Sequence, residues 1–137
     1  MGVKVTFNKQ AVKARIRTAK NIGVIEISNE LLKDANNYAR QDSGLMISAS
    51  LKGSNLPMPS KQNWTEEDNK IFAAAKGSDI KKGTLIWDTP YAKSMYYTGT
   101  PVKDRNPNAS TLWAEKAKKK HNQKYIRMFQ RIIKEKV

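Results

Sequence analysis

The chain has 137 residues, no cysteine and one histidine, and its 26 Lys and Arg against 12 Asp and Glu give a formal net charge of +14. That length makes one domain, 1–137, with a single modest core. Lack of cysteine excludes disulfides and thiolate metal sites, and a lone His121 without clustered carboxylates offers no zinc site. No apolar run reaches the roughly 18–20 residues of a membrane span, so metal, cofactor and membrane are all left out of the reading.

From Asn8 to about Tyr38 the apolar residues Val12, Ile16, Ala19, Gly23, Ile27, Leu31, Ala35 and Tyr38 recur in steps of three and four. That spacing predicts one long helix capped at Asn8, with Phe7 stapled against Val12 and a bend or close contact at Gly23. Val24-Ile25-Glu26-Ile27 on its own also suits a strand. After Ser43-Gly44 the pattern changes. Leu45, Ile47, Ala49 and Leu51 alternate with Met46, Ser48 and Ser50, which predicts a strand with one buried face.

Residues 53–83 read as an insertion. Its start, with Pro57 and Pro59, is loop-like, and Thr65-Glu66-Glu67-Asp68 opens a short helix or a mobile flap that stops at Gly77. Thr84 to Trp87 is beta-prone, Asp88-Thr89-Pro90 breaks it, and Tyr91 to Tyr97 continues as an extended or short helical piece. A final helix starts near Ser110, capped by Asn108 or Ser110, with Trp113, Ala117, Tyr125, Met128, Phe129 and Ile132 as its apolar stripe. His121 falls on that stripe as a packing residue. The expected fold class is therefore α+β: a small antiparallel sheet packed against a long N-terminal helix and a C-terminal helix, with an insertion between strands.

No nucleophile or second carboxylate neighbours Asp88, and Glu66, Glu67 and Asp68 suit the dipole of a helix's first turn, so no enzyme is expected. Three of the five tyrosines and two of the three tryptophans fall between residues 84 and 113. Trp87 and Trp113 suit a core. Tyr91, Tyr96 and Tyr97 suit a protein contact better than a base-stacking platform, because Lys93 is the one cation among them. Together with Asp88 and Pro90, these aromatics make the candidate subunit or partner interface.

Residues 110–137 carry seven lysines and two arginines against Glu115 and Glu135. Lys116, Lys119, Lys120, Lys124, Arg127 and Arg131 are candidate phosphate contacts, salt-dependent and blind to base sequence.

The run Pro90-Tyr91-Ala92, the pair Tyr96-Tyr97, Gly99, and Asn106-Pro107 before Trp113 resemble the small minor capsid, neck or tail-completion proteins of long-tailed bacteriophages. Ser43-Gly44-Leu45 and Ser48 stand in the place of that family's Thr-Gly-x-Leu-x-x-Ser entry into its sheet and resemble it in residue type, with Ser43 for the Thr and Leu45 directly after Gly44. The resemblance implies a structural virion protein of the head–tail connector, made in the host cytoplasm and assembled as a homo-oligomeric ring of six or twelve copies around the DNA channel. Its partners would be itself, connector and tail proteins docked on its two faces, and genomic DNA in the lumen. The other reading open to the sequence is a small basic protein that binds nucleic acid without specificity.

Overall fold

The computed structural model describes residues 9–39, 44–59, 63–98 and 108–136. Five helices account for most of them: α1 (Lys9–Asn36), α2 (Leu45–Leu51), α3 (Glu66–Ala74), α4 (Ala92–Tyr97) and α5 (Trp113–Lys136). The expected caps at Asn8, and the motif positions Ser43, Gly99, Asn106 and Pro107, lie outside the described residues.

The two long helices form an antiparallel pair, because partners run in opposite order along them. Glu26 meets Arg131, Glu30 meets Lys124, and the Ser110 N–H donates to the Tyr38 carbonyl at 2.9 Å. Gly23 sits directly against Phe129: a Cβ there would lie 2.7 Å from that ring. Its place inside a helix costs about 1 kcal/mol relative to Ala, and the close packing explains why it is tolerated.

At one end of the pair a core gathers Leu32, Ala35, Ala39, Met46, Ala92 and Trp113, with Ala117 beneath. Here the α+β expectation is overturned. Among the described residues there is no sheet, and the one β-bridge pairs Asp79 with Thr84 across a tight turn. Leu45 to Leu51, read as a strand, is helix α2, and every one of its residues is buried. A short segment buried on all sides has no wet face to impose a helical period, so its apolar and small residues fell by chance into alternation. Its buried Ser50 is accommodated by bonding: the hydroxyl donates to the Ile47 carbonyl at 2.6 Å and accepts from Asn36 Nδ2 at 3.1 Å.

The beta-prone Thr84 to Trp87 has the residue types of a strand, but among the described residues its one ladder pairing is the bridge from Thr84 to Asp79. The rest is fastened by side chains. Trp87 Nε1 donates to Asn36 Oδ1 at 2.8 Å, and the Ile86 N–H donates to the Ser78 hydroxyl at 2.9 Å. Asn36, the last residue of α1, thus ties α1 to both α2 and this segment.

Within 53–83 the short helix forms where the acids predicted it. Thr65 caps α3 with a reciprocal capping box: its hydroxyl accepts from the Asp68 N–H and Asp68 accepts from the Thr65 N–H, each at 3.1 Å. The other end is held by Lys52. Its Nζ donates to the carbonyls of Phe72 at 2.8 Å, Ala73 at 3.4 Å and Ala75 at 2.8 Å. A lysine here satisfies carbonyls that a helix end leaves without partners. Next to it the backbones of 52–53 and 77–78 nearly touch: a Cβ on Gly53 would lie 2.2 Å from the Ser78 oxygen, and one on Gly77 2.2 Å from the Lys52 oxygen.

Candidate assembly surface

Helix α4 and the start of α5 bring the aromatic run together. The turn at Thr89 to Tyr91 closes with an Ala92 N–H to Thr89 carbonyl bond of 3.2 Å, and Pro90 presets the backbone for it. Thr98 ends α4, its N–H donating to the Ser94 carbonyl at 2.9 Å and its hydroxyl to the same oxygen at 2.7 Å. The Leu112 N–H then donates to the Tyr96 carbonyl at 2.8 Å, joining α4 to the start of α5.

This arrangement stacks the rings from inside to outside. Trp113 is fully buried, with Trp87 edge-on to it at 5.8 Å and Tyr96 at 4.7 Å. Tyr97 lies edge-on to Tyr96 at 5.0 Å and is 63% exposed. Tyr91 and Pro90 are exposed on the same segment. Such edge-to-face pairs contribute about 0.5–1.5 kcal/mol each beyond their buried area. Burial and the neighbouring Glu115 carboxylate hold the Tyr96 phenol above its ordinary 10.0, so it stays a neutral donor.

Beside these rings runs an open cleft of about 480 Å³, lined by Trp87, Lys93, Tyr96, Tyr97, Trp113 and Lys118 among others. Its lining mixes aromatic and aliphatic side chains with Lys93, Glu115 and Lys118, a composition that suits a contact surface for another protein. Of the interface residues read from the sequence, Trp87, Tyr96, Tyr97 and Trp113 share this cleft. Asp88 serves elsewhere: its carboxylate accepts the Lys76 N–H at 2.6 Å, fastening the end of the insertion to the aromatic segment.

The cationic stripe of α5 divides in two. Lys119 and Arg127 are exposed. Lys116 and Lys120 stand over the Tyr38 ring, at 5.1 and 5.7 Å. Lys124 is spoken for, donating to Glu30 at 3.0 Å and to the buried Asp34, which also accepts the Tyr125 hydroxyl at 2.6 Å. Arg131 meets Glu26 at 3.4 Å.

Burial opposes charge on both Glu30 and Lys124, but their ion pairing outweighs it. Glu30, between Lys124 and Lys33, falls below its ordinary 4.5, and Lys124, bonded to Asp34 and Glu30, rises above 10.5. Burial first, and the bond to Asp34 next, push the Tyr125 phenol far above 10.0. Asp34 escaped the sequence reading, although an acid beside Ala35 on the apolar stripe was a signal for it. His121 packs half-buried, edge-on to Tyr125 at 6.5 Å.

No group of three or more metal-ligating side chains occurs among the described residues, nor does any helix long and apolar enough to cross a membrane. No protein-family model, curated protein or solved structure matches the chain. The cleft and its tyrosines must therefore speak for themselves.

Proposed function

We propose that this chain is a structural virion protein of the head–tail connector of a long-tailed phage, a subunit of a homo-oligomeric ring around the DNA channel. The observation that carries the reading is the aromatic cleft. The part of the phage-like run from Ala92 to Tyr97 forms α4, which sets Tyr97 outward against Tyr96 and, through it, Trp113, with Tyr91 exposed at the start of the helix. The small sheet that the resemblance implied is not part of the support, which rests on the order of the motifs and on this surface.

In the ring, the cleft of one subunit receives a segment of its neighbour, a head-to-tail contact that closes by rotation. Tyrosine suits such a contact: a rigid ring buries much area at low entropic cost, and its hydroxyl finds a partner. Head-side and tail-side proteins dock on the two faces. Copies at +14 repel one another, so assembly requires acidic partners or DNA to offset the charge.

Electron microscopy of phage particles, with this chain located by density or antibody, tests the reading. A ring between portal and tail tube is expected, lost when Tyr91 and Tyr97 are both changed to Ala in a chain that still folds. Absence from the particle, with recovery on nucleic acid at low salt, replaces it with the small basic nucleic-acid-binding protein.

A further inference from the structure

The register of the long helices leaves part of α1 without a neighbour among the described residues. Phe129 at Gly23 and Arg131 at Glu26 bring the end of α5 level with Ala19, which is 1% exposed. Before Ala19, residues 10–18 are exposed except for the half-buried Val12. The helix therefore runs on as an arm of about 15 Å, at 1.5 Å per residue.

Lys13, Arg17 and Lys20 occur along it at i, i+4 and i+7, one face of a helix, and all three are exposed. No acid pairs with them among the described residues. The first acidic residue of the chain is Glu26, and the first turn of α1 holds no acid to complement the helix dipole. Like charges at this spacing destabilise an isolated helix. Farther along, the same two helices compensate their cations, with Glu26 on Arg131 and Glu30 and Asp34 on Lys124. Lys13, Arg17 and Lys20 lie where the helix stands clear of α5 and have no such acid beside them among the described residues.

We infer that this arm binds the phosphate backbone of double-stranded DNA through Lys13, Arg17 and Lys20, without reading sequence. Three cations on a rigid rod span about 10 Å, a length over which one DNA strand presents about three phosphates. The phosphates remove the mutual repulsion and complement the dipole, so the arm gains helical order on the duplex. The inference rests on the connector reading only for which DNA the arm meets in the particle.

Fluorescence anisotropy of the full chain on a labelled duplex of about 20 base pairs, across roughly 20–200 mM salt, gives the number of phosphates engaged. Changing Lys13, Arg17 and Lys20 together to Gln should reduce the slope of log affinity against log salt by about three. The matching change of Lys116, Lys119 and Arg127 on α5 should reduce it by less than about one, as contacts off the arm would. The arm variant should also melt at a higher temperature in low salt, where cations with a structural role would make it melt lower.

An unchanged slope in the arm variant, an equal loss in the α5 variant, or binding to phosphatidylserine vesicles but not DNA overturns the inference. A ring in particles with no DNA binding by the arm defeats this inference alone. Binding by the arm with no ring defeats the connector reading alone.

Discussion

The two ends of the α1–α5 pair are made of the same helices and stabilised in opposite ways. At the end holding Trp113, α2 and α4 close over the pair and bury Leu32, Ala35 and Ala117 completely. At the other end α1 runs beyond its partner, Ile16 is 41% exposed, and cations line the surface. Between them lies the Glu30–Asp34–Lys124–Tyr125 cluster, where charge is paired rather than solvated. A long amphipathic helix is therefore not one energetic unit: its stability is local to whatever covers it.

The largest expected break in that contrast is Trp113→Ala, which should cost about 3–5 kcal/mol in a denaturant melt followed by circular dichroism. Trp113→Phe sharpens the test. The buried indole Nε1 has no hydrogen-bond partner among the described residues, so Phe loses volume but no bond and should cost clearly less. A Phe variant as damaged as Ala would mean that the indole N–H matters.

Gly77→Ala comes next. Its Cβ would meet the Lys52 carbonyl and side chain at 2.2–2.6 Å, and backbone cannot move aside as a side chain can. A cost of about 1–3 kcal/mol is expected, with faster amide exchange in α3 than in α5. Uniform exchange across the chain would show instead that the insertion and the helical pair unfold together.

The ionic cluster predicts a pH profile. A group whose folded pKa is raised stabilises the fold fully below its unfolded value and loses that contribution as pH rises toward the folded value. Tyr125 and Lys124 are both raised, from 10.0 and 10.5, so stability should decline above about pH 10. Glu30 is depressed. Its contribution is complete above 4.5 and is lost as pH falls through its lower folded value. Tyr125→Phe should flatten the alkaline decline and leave the acid limb in place, read from melts between pH 3 and 11, a range of about a unit beyond each ordinary value. An unchanged alkaline limb would assign the loss to other groups.

The smallest effect belongs to the open end. Ile16→Ala should change stability by no more than about 0.5 kcal/mol, as for other exposed positions. A cost near that of a core residue would place the arm against a partner copy, and dilution would then reveal it.

What the sequence made legible follows the same contrast. Helices with a wet side announced themselves: the α5 stripe through Trp113, Ala117, Tyr125 and Ile132 is buried as its spacing required, and Thr65 caps α3 as its acids implied. Elements without a wet side did not. Alternation in Leu45 to Leu51 was an accident of complete burial, and Thr84 to Trp87 had beta propensity but no strand to join. Propensity of that kind is largely packing against neighbours, which a single segment cannot reveal.

Of the residues read as an interface, Trp87, Tyr96, Tyr97 and Trp113 line one cleft, while Asp88 holds the backbone of Lys76. The pairing of Lys124 with Asp34 joins positions 90 residues apart, and nothing local in the sequence encoded it.

Lys52 has a consequence for the chemistry of the surface. An ammonium group has three protons to give, and here three carbonyls receive them while the Phe72 ring stands 5.1 Å away. To act as a nucleophile toward an acylating reagent, the amine must shed a proton and turn its lone pair outward, which means abandoning the end of α3. In a chain crowded with lysines, this one is chemically quiet for as long as the insertion stays folded, and its awakening would report the moment that the insertion opens.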